Sequence, residues 1–141
     1  MLARRELSEA QVRQRLARRG HSEHAIDEAV ARLRGERAID DQRVADAIAR
    51  RESSAGRRSK LGAQWRIEQA GIAPPTARRS VEEAYSATDP EALLAASIAK
   101  RLRGRSEIAD EREFQRLYRY FLRHGFEPDR IIRALKARSI K

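Results

Sequence analysis

Hydrophobic residues in this chain recur on two scales. Within short segments they follow the 3.6-residue helical period, and over longer distances they stand at matching places around three glycines. Gly20, Gly71 and Gly125 each close an amphipathic stretch. Four residues before them lie Leu16, Ile67 and Phe121, and eight before them Val12, Ala63 and Leu117. Six residues after come Ile26, Ala77 and Ile131, and ten after come Val30, Val81 and Leu135. The glycines are 51 and 54 residues apart, which predicts tandem units that cover their apolar faces by stacking. Such an array offers a long binding face rather than a single deep catalytic pocket.

Helix punctuation agrees with this division. Ser8 with Gln11 makes a capping box and predicts a helix over 8–19, ending at Gly20, where a positive φ costs little. Ser22 starts the next helix, with Ile26, Val30 and Leu33 on one face. Asp40 or Asp41 caps a third, over 40–52, before Ser53, Ser54 and Gly56, which read as a loosened junction. Further helices are expected over 58–70 and 74–87, the latter opening on Pro74 and Pro75. Another runs from Asp89 and Pro90 to Leu102; one starts at Asp110 with Glu113, and the last at Pro128. Phe114, Leu117, Tyr118, Phe121 and Leu122 form one wide apolar stripe, and no segment alternates with period two. The expected fold is all-α: an elongated, curved array of tandem three-helix repeats. The units are placed at 1–36, 37–88 and 89–141.

Charge changes the picture from scaffold to binder. The net charge is +10, with 31 basic and 21 acidic residues. Residues 1–35 carry +3, 36–88 carry +2 and 89–141 carry +5, so the excess is not a polycationic tail. A basic face of this kind attracts phosphates or nucleoprotein at long range. The lack of cysteine excludes a disulfide framework and zinc fingers. With no long apolar run and no signal peptide, the protein reads as soluble and cytoplasmic, without a membrane partner.

Two clusters are the candidate contact residues. Arg50, Arg51, Arg57, Arg58, Lys60 and Arg66 crowd one junction against Glu52 alone. Trp65 stands beside them; it is expected to pack in the middle seam, with stacking on an exposed base as the alternative. The second cluster is the stripe Arg112, Arg116, Arg119 and Arg123, all within about 60° on the side of the helix opposite the apolar stripe. His21 and His24 lack the carboxylates or cysteines of a metal site. The pairs Asp40–Asp41 and Glu82–Glu83 read as caps and solvated surface. With no phosphate loop and no nucleophile–base pair, neither an enzyme nor a cofactor is expected.

Three segments resemble the RecX family of bacterial recombination regulators. The opening Leu2-Ala3-Arg4-Arg5-Glu6-Leu7-Ser8, followed by Val12, Leu16, Arg19 and Gly20, is similar to the family's first motif. Ile39-Asp40-Asp41-Gln42-Arg43-Val44-Ala45 resembles its second, with Val44 where phenylalanine is usual. Tyr120-Phe121-Leu122-Arg123-His124-Gly125-Phe126 with Ile131-Ile132-Arg133-Ala134-Leu135 resembles its C-terminal signature. The segment Gly62-Ala63-Gln64-Trp65-Arg66-Ile67 departs from the family pattern, about a turn shorter.

The resemblance implies a regulator of DNA repair, recombination and the SOS response. Such a protein binds the RecA recombinase filament and restrains strand exchange, ATP hydrolysis and coprotease function. It implies secondary contacts to single- or double-stranded DNA, and three-helix repeats of which the first has a truncated first helix, a stub over 1–6 unless the natural start lies upstream; the chain is expected to work as a monomer. The alternative is a transcriptional regulator of helix-turn-helix type, since helix pairs joined by glycine turns are present. Against it, the candidate recognition helices 22–34 and 128–138 differ strongly, and no dimerisation helix is evident.

Overall fold

The computed structural model describes residues 6–55 and 58–139. Among them are eight helices: α1 (Glu9–Arg18), α2 (Glu23–Gly35), α3 (Asp41–Ala55), α4 (Lys60–Gln69), α5 (Pro74–Ala84), α6 (Pro90–Leu102), α7 (Glu111–Arg123) and α8 (Pro128–Lys136). The fold is all-α. One isolated parallel bridge joins Ile108 to Ser139, where the Ile108 N–H donates to the Arg138 carbonyl at 2.7 Å. The expected stub over 1–6 falls almost wholly outside the described residues.

Capping chemistry sets most helix ends where the sequence puts them. Ser8 accepts from the Gln11 N–H while the Gln11 side chain accepts from the Ser8 N–H, closing the capping box of α1. Ser22, Ser59, Asp89 and Asp110 cap α2, α4, α6 and α7 through side-chain oxygens. The end of α3 differs from expectation. Ser53 and Ser54 lie inside the helix, their hydroxyls donating back to the Arg50 carbonyl, so the helix runs on to Ala55. Arg37 and Arg103 take positive φ after α2 and α6, although Gly35 and Gly104 stand close by; Gly104 takes positive φ as well.

Three apolar clusters form the core. Ile26, Val30 and Ile39 join α2 to the segment before α3, with Val12, Leu16 and Leu33 packed against them. Val44, Ala45, Ala49, Ala63, Ile67, Ala77 and Val81 join α3, α4 and α5. Leu94, Ile98, Leu102, Leu117, Phe121, Ile131 and Leu135 join α6, α7 and α8. Residues at matching distances from the three glycines thus occupy matching core places: Val30, Val81 and Leu135 are all essentially inaccessible. Each such side chain contributes about 1.5–3 kcal/mol by leaving water.

The clusters are linked by two joints of the same construction. At the first, the Ser8 hydroxyl donates to the Ala70 carbonyl at 2.5 Å, fully buried, and Gly71 lies against Ala10. At the second, the Ser59 hydroxyl donates to the Gly125 carbonyl at 2.5 Å and the Ser59 N–H donates to the His124 carbonyl at 3.2 Å. In both, the capping serine of one helix grips the glycine turn of a later helix pair. The second joint is closer. A Cβ on Gly62 would overlap the His124 carbonyl, and one on Gly125 would overlap the Gly62 backbone.

Candidate partner-binding surface

The cationic cluster at the end of α3 and along α4 does not act as one patch. Arg58 is mostly covered, with 19% of its side chain exposed, and its Nε lies 3.7 Å from Glu52 Oε2. Its guanidinium sits 5.7 Å from the Trp65 ring centre, within cation–π range. Lys60 Nζ is 2.8 Å from Glu82 Oε1. Those two charges are therefore largely compensated. Arg50 is exposed, and Arg57 lies outside the described residues.

Arg51 and Arg66 behave differently. Both line a groove of about 940 Å³ between α1, α3 and α4, and Arg15 of α1 joins them there. None of the three has an ion-pair partner among the described residues. Leu7, Val44, Ala47, Ile48 and Ala70 supply aliphatic surface to the same groove. Sequence reasoning missed Arg15 because Arg13, Arg18 and Arg19 surround it with the same local signal. Arg13 is spent on Asp27, at 2.7 Å, whereas Arg15 faces the groove.

Trp65 corrects the expectation that it packs in a seam. It is 53% exposed, and Leu61, one turn earlier, is 67% exposed. The buried face of α4 is made by Gly62, Ala63 and Ile67 instead, because the close approach to the His124 turn leaves no room for a large ring. Beside this junction the Arg101 guanidinium lies 3.9 Å from the Tyr120 ring centre, and Tyr120 stacks on His124 at 4.0 Å. Burial holds the His124 imidazole below its ordinary value of 6.5, and nearby Arg58 and Arg123 push it the same way.

The α7 stripe is presented to solvent. Arg112, Arg116, Arg119 and Arg123 are all exposed, while Leu117 and Phe121 bury the opposite side. Arg116 is 3.6 Å from Glu113, a carboxylate that also holds Arg105 through two hydrogen bonds of 3.0 and 2.5 Å. Those bonds, with one from the Ala109 N–H, hold Glu113 down to about 2. The stripe therefore keeps three cations outside any ion pair among the described residues. No group of His, Cys, Asp and Glu suited to a metal ion occurs among those residues. No helix among them is long and apolar enough to cross a membrane.

The described residues form a serial helical array with several arginines outside any ion pair among them. Comparison with known proteins points to one family. A model of the first three-helix domain of RecX matches residues 1–33. The regulatory protein RecX of Syntrophotalea carbinolica (strain DSM 2380 / NBRC 103641 / GraBd1) is 28% identical over 127 residues, covering 89% of this chain and 83% of that protein. The regulatory protein RecX of Geobacillus kaustophilus (strain HTA426) is 27% identical over 136 residues, 96% of this chain but 50% of that longer protein. In fold, the chain is similar to the crystal structure of RecX from Lactobacillus salivarius, with a TM-score of 0.60 at 17% identity, over 93% of this chain and 84% of that one. The chain is thus similar to RecX regulatory proteins in its first 33 residues, over most of its length at 27–28% identity, and in fold.

Proposed function

We propose that the protein binds the RecA recombinase filament and restrains its strand exchange, ATP hydrolysis and coprotease function, touching DNA secondarily. The observation that carries this reading is the repeated joint. Two serine contacts of the same kind, Ser8 on the Ala70 carbonyl and Ser59 on the Gly125 carbonyl, join successive helix groups, so similar faces recur along the chain as protomers recur along a polymer. On this reading 1–36, 37–88 and 89–141 are the repeating units, and the chain acts as a monomer within the cytoplasm. Arg51, Arg66 and the α7 arginines make the contacts, with Arg50 and Trp65 at their margin. Arg58 and Lys60 hold the second joint in shape more than they touch a partner.

The test is a titration of the protein into ATPase and strand-exchange assays of the cognate RecA. Inhibition that saturates near one protein per few protomers supports the reading. No effect at micromolar excess overturns it. Filter binding at varied salt separates the helix-turn-helix alternative, which requires tight, sequence-selective duplex binding indifferent to RecA.

A further inference from the structure

The groove between α1, α3 and α4 has a composition that selects its ligand. Arg15, Arg51 and Arg66 come from three different helices, and no acidic side chain among the described residues pairs with any of them. Glu6, the one carboxylate lining the groove, is engaged by the Arg43 guanidinium at 2.7 and 2.9 Å. Bringing three like charges to one groove is unfavourable unless something negative lies between them. The floor is aliphatic: Leu7, Ala47 and Ile48 are half-buried, with Val44 and Ala70 beneath.

We infer that this groove receives an acidic segment of a protein partner, one that carries aliphatic side chains on one face and carboxylates beside them. The inference rests on the reading that the protein works by binding another protein, and names the chemistry of the contact. Arginine forks match carboxylates bidentately, and an aliphatic floor takes the apolar face of an amphipathic helix or strand. The volume of about 940 Å³ is at the upper end of what a compact ligand site needs, room for several side chains. A nucleic acid fits less well. Its affinity for such surfaces draws on stacking as well as phosphate contacts, and no aromatic ring lines this groove. Trp65, the ring nearest in sequence to Arg66, is not among the lining residues.

The experiment is fluorescence anisotropy with the full chain. The probe is a labelled helical peptide with leucine at i, i+3, i+4 and i+7 and glutamate beside them. A second probe replaces each leucine with serine at the same charge. The leucine peptide is expected to bind, and the serine peptide to bind at least about tenfold more weakly. Changing Arg15, Arg51 and Arg66 together to alanine should weaken the leucine peptide about tenfold or more. Changing Arg32, Arg78 and Arg79, which are exposed elsewhere, should leave it within about twofold at the same loss of net charge.

Equal weakening by the two triple variants overturns the inference, since only long-range charge would be at work. So does equal binding of both peptides, or displacement of the peptide by oligothymidylate. Circular dichroism of each variant checks that helix content is kept. Run beside the RecA assay, the two failures are distinct. A chain that restrains RecA yet ignores the peptide overturns the groove alone. A chain that takes the peptide through these arginines but leaves RecA untouched supports the groove and overturns the regulator.

Discussion

The two joints share a plan and differ in tightness. At Ser8 the hydroxyl is wholly buried and donates across the joint to the Ala70 carbonyl, while Gly71 meets the small side chain of Ala10. At Ser59 the hydroxyl is half-buried, but the Ser59 N–H, the Tyr85 hydroxyl on the Arg58 carbonyl and a glycine-on-glycine approach share the load. One repeat rule therefore produces two energetic solutions: a single buried hydrogen bond in one place, and backbone contact in the other. Burial raises the Tyr85 hydroxyl well above its ordinary value, which keeps it neutral and donating.

The largest effect should come from the glycine on which the second joint depends. Gly62→Ala improves helix propensity by about 1 kcal/mol, yet its Cβ meets the His124 carbonyl. Because the blocking atom is backbone, the net outcome expected is a loss of at least about 3 kcal/mol in urea unfolding, at or beyond the usual cost of overpacking. Gly35→Ala, at the end of α2 with open space around it, should instead gain up to about 1 kcal/mol. If both substitutions stabilise the protein, the close contact is not a constraint.

The serines come next. Ser8→Ala removes a helix cap and strands the buried Ala70 carbonyl, for a cost of about 2–3 kcal/mol. Ser59→Ala removes the same two bonds, but the half-buried site and the other contacts hold the loss to about 1–2 kcal/mol. Thermal unfolding of the pair orders the joints, and the reverse ranking would break the comparison.

A pH series sharpens it further. Because His124 sits below its ordinary value in the folded chain, its neutral form is favoured there. Its contribution is complete above about 6.5 and is lost as pH falls through the lower folded value. The second joint should loosen on that limb, and His124→Asn should flatten the dependence. An unchanged profile in the variant would place the sensitivity elsewhere. Trp65→Ala should have the smallest effect on folding, under about 0.5 kcal/mol, since the ring is half in solvent. Under the proposed function, inhibition of RecA should still weaken, and an unaffected assay would remove Trp65 from the proposed contact surface.

The arginine-rich surface was legible in kind but not in detail. A crowd of arginines marks a surface, but ion pairing decides which of them remain available. Arg58 and Lys60 looked the same as Arg51 and Arg66 along the chain. They differ because Glu52 and Glu82 fold back on the first two and nothing acidic among the described residues reaches the second two. Trp65 carried an equally ambiguous signal. A lone tryptophan at helical spacing usually buries, and here the demand for small residues at Gly62 and Ala63 turned the helix the other way.

From the sequence alone came the helices, their caps and the recurrence of core positions around Gly20, Gly71 and Gly125. These depend on contacts within about four residues, such as the Ser8 capping box or the turn bond from the Gly125 N–H to the Leu122 carbonyl at 3.1 Å. Tertiary structure alone decided that Ser8 would meet Ala70, 62 positions away, and that Arg15, Arg51 and Arg66 would share one groove. Local periodicity fixes which face of a helix is apolar. Which neighbour covers that face, and which charges are consumed in covering it, depends on the relative placement of helices distant in sequence.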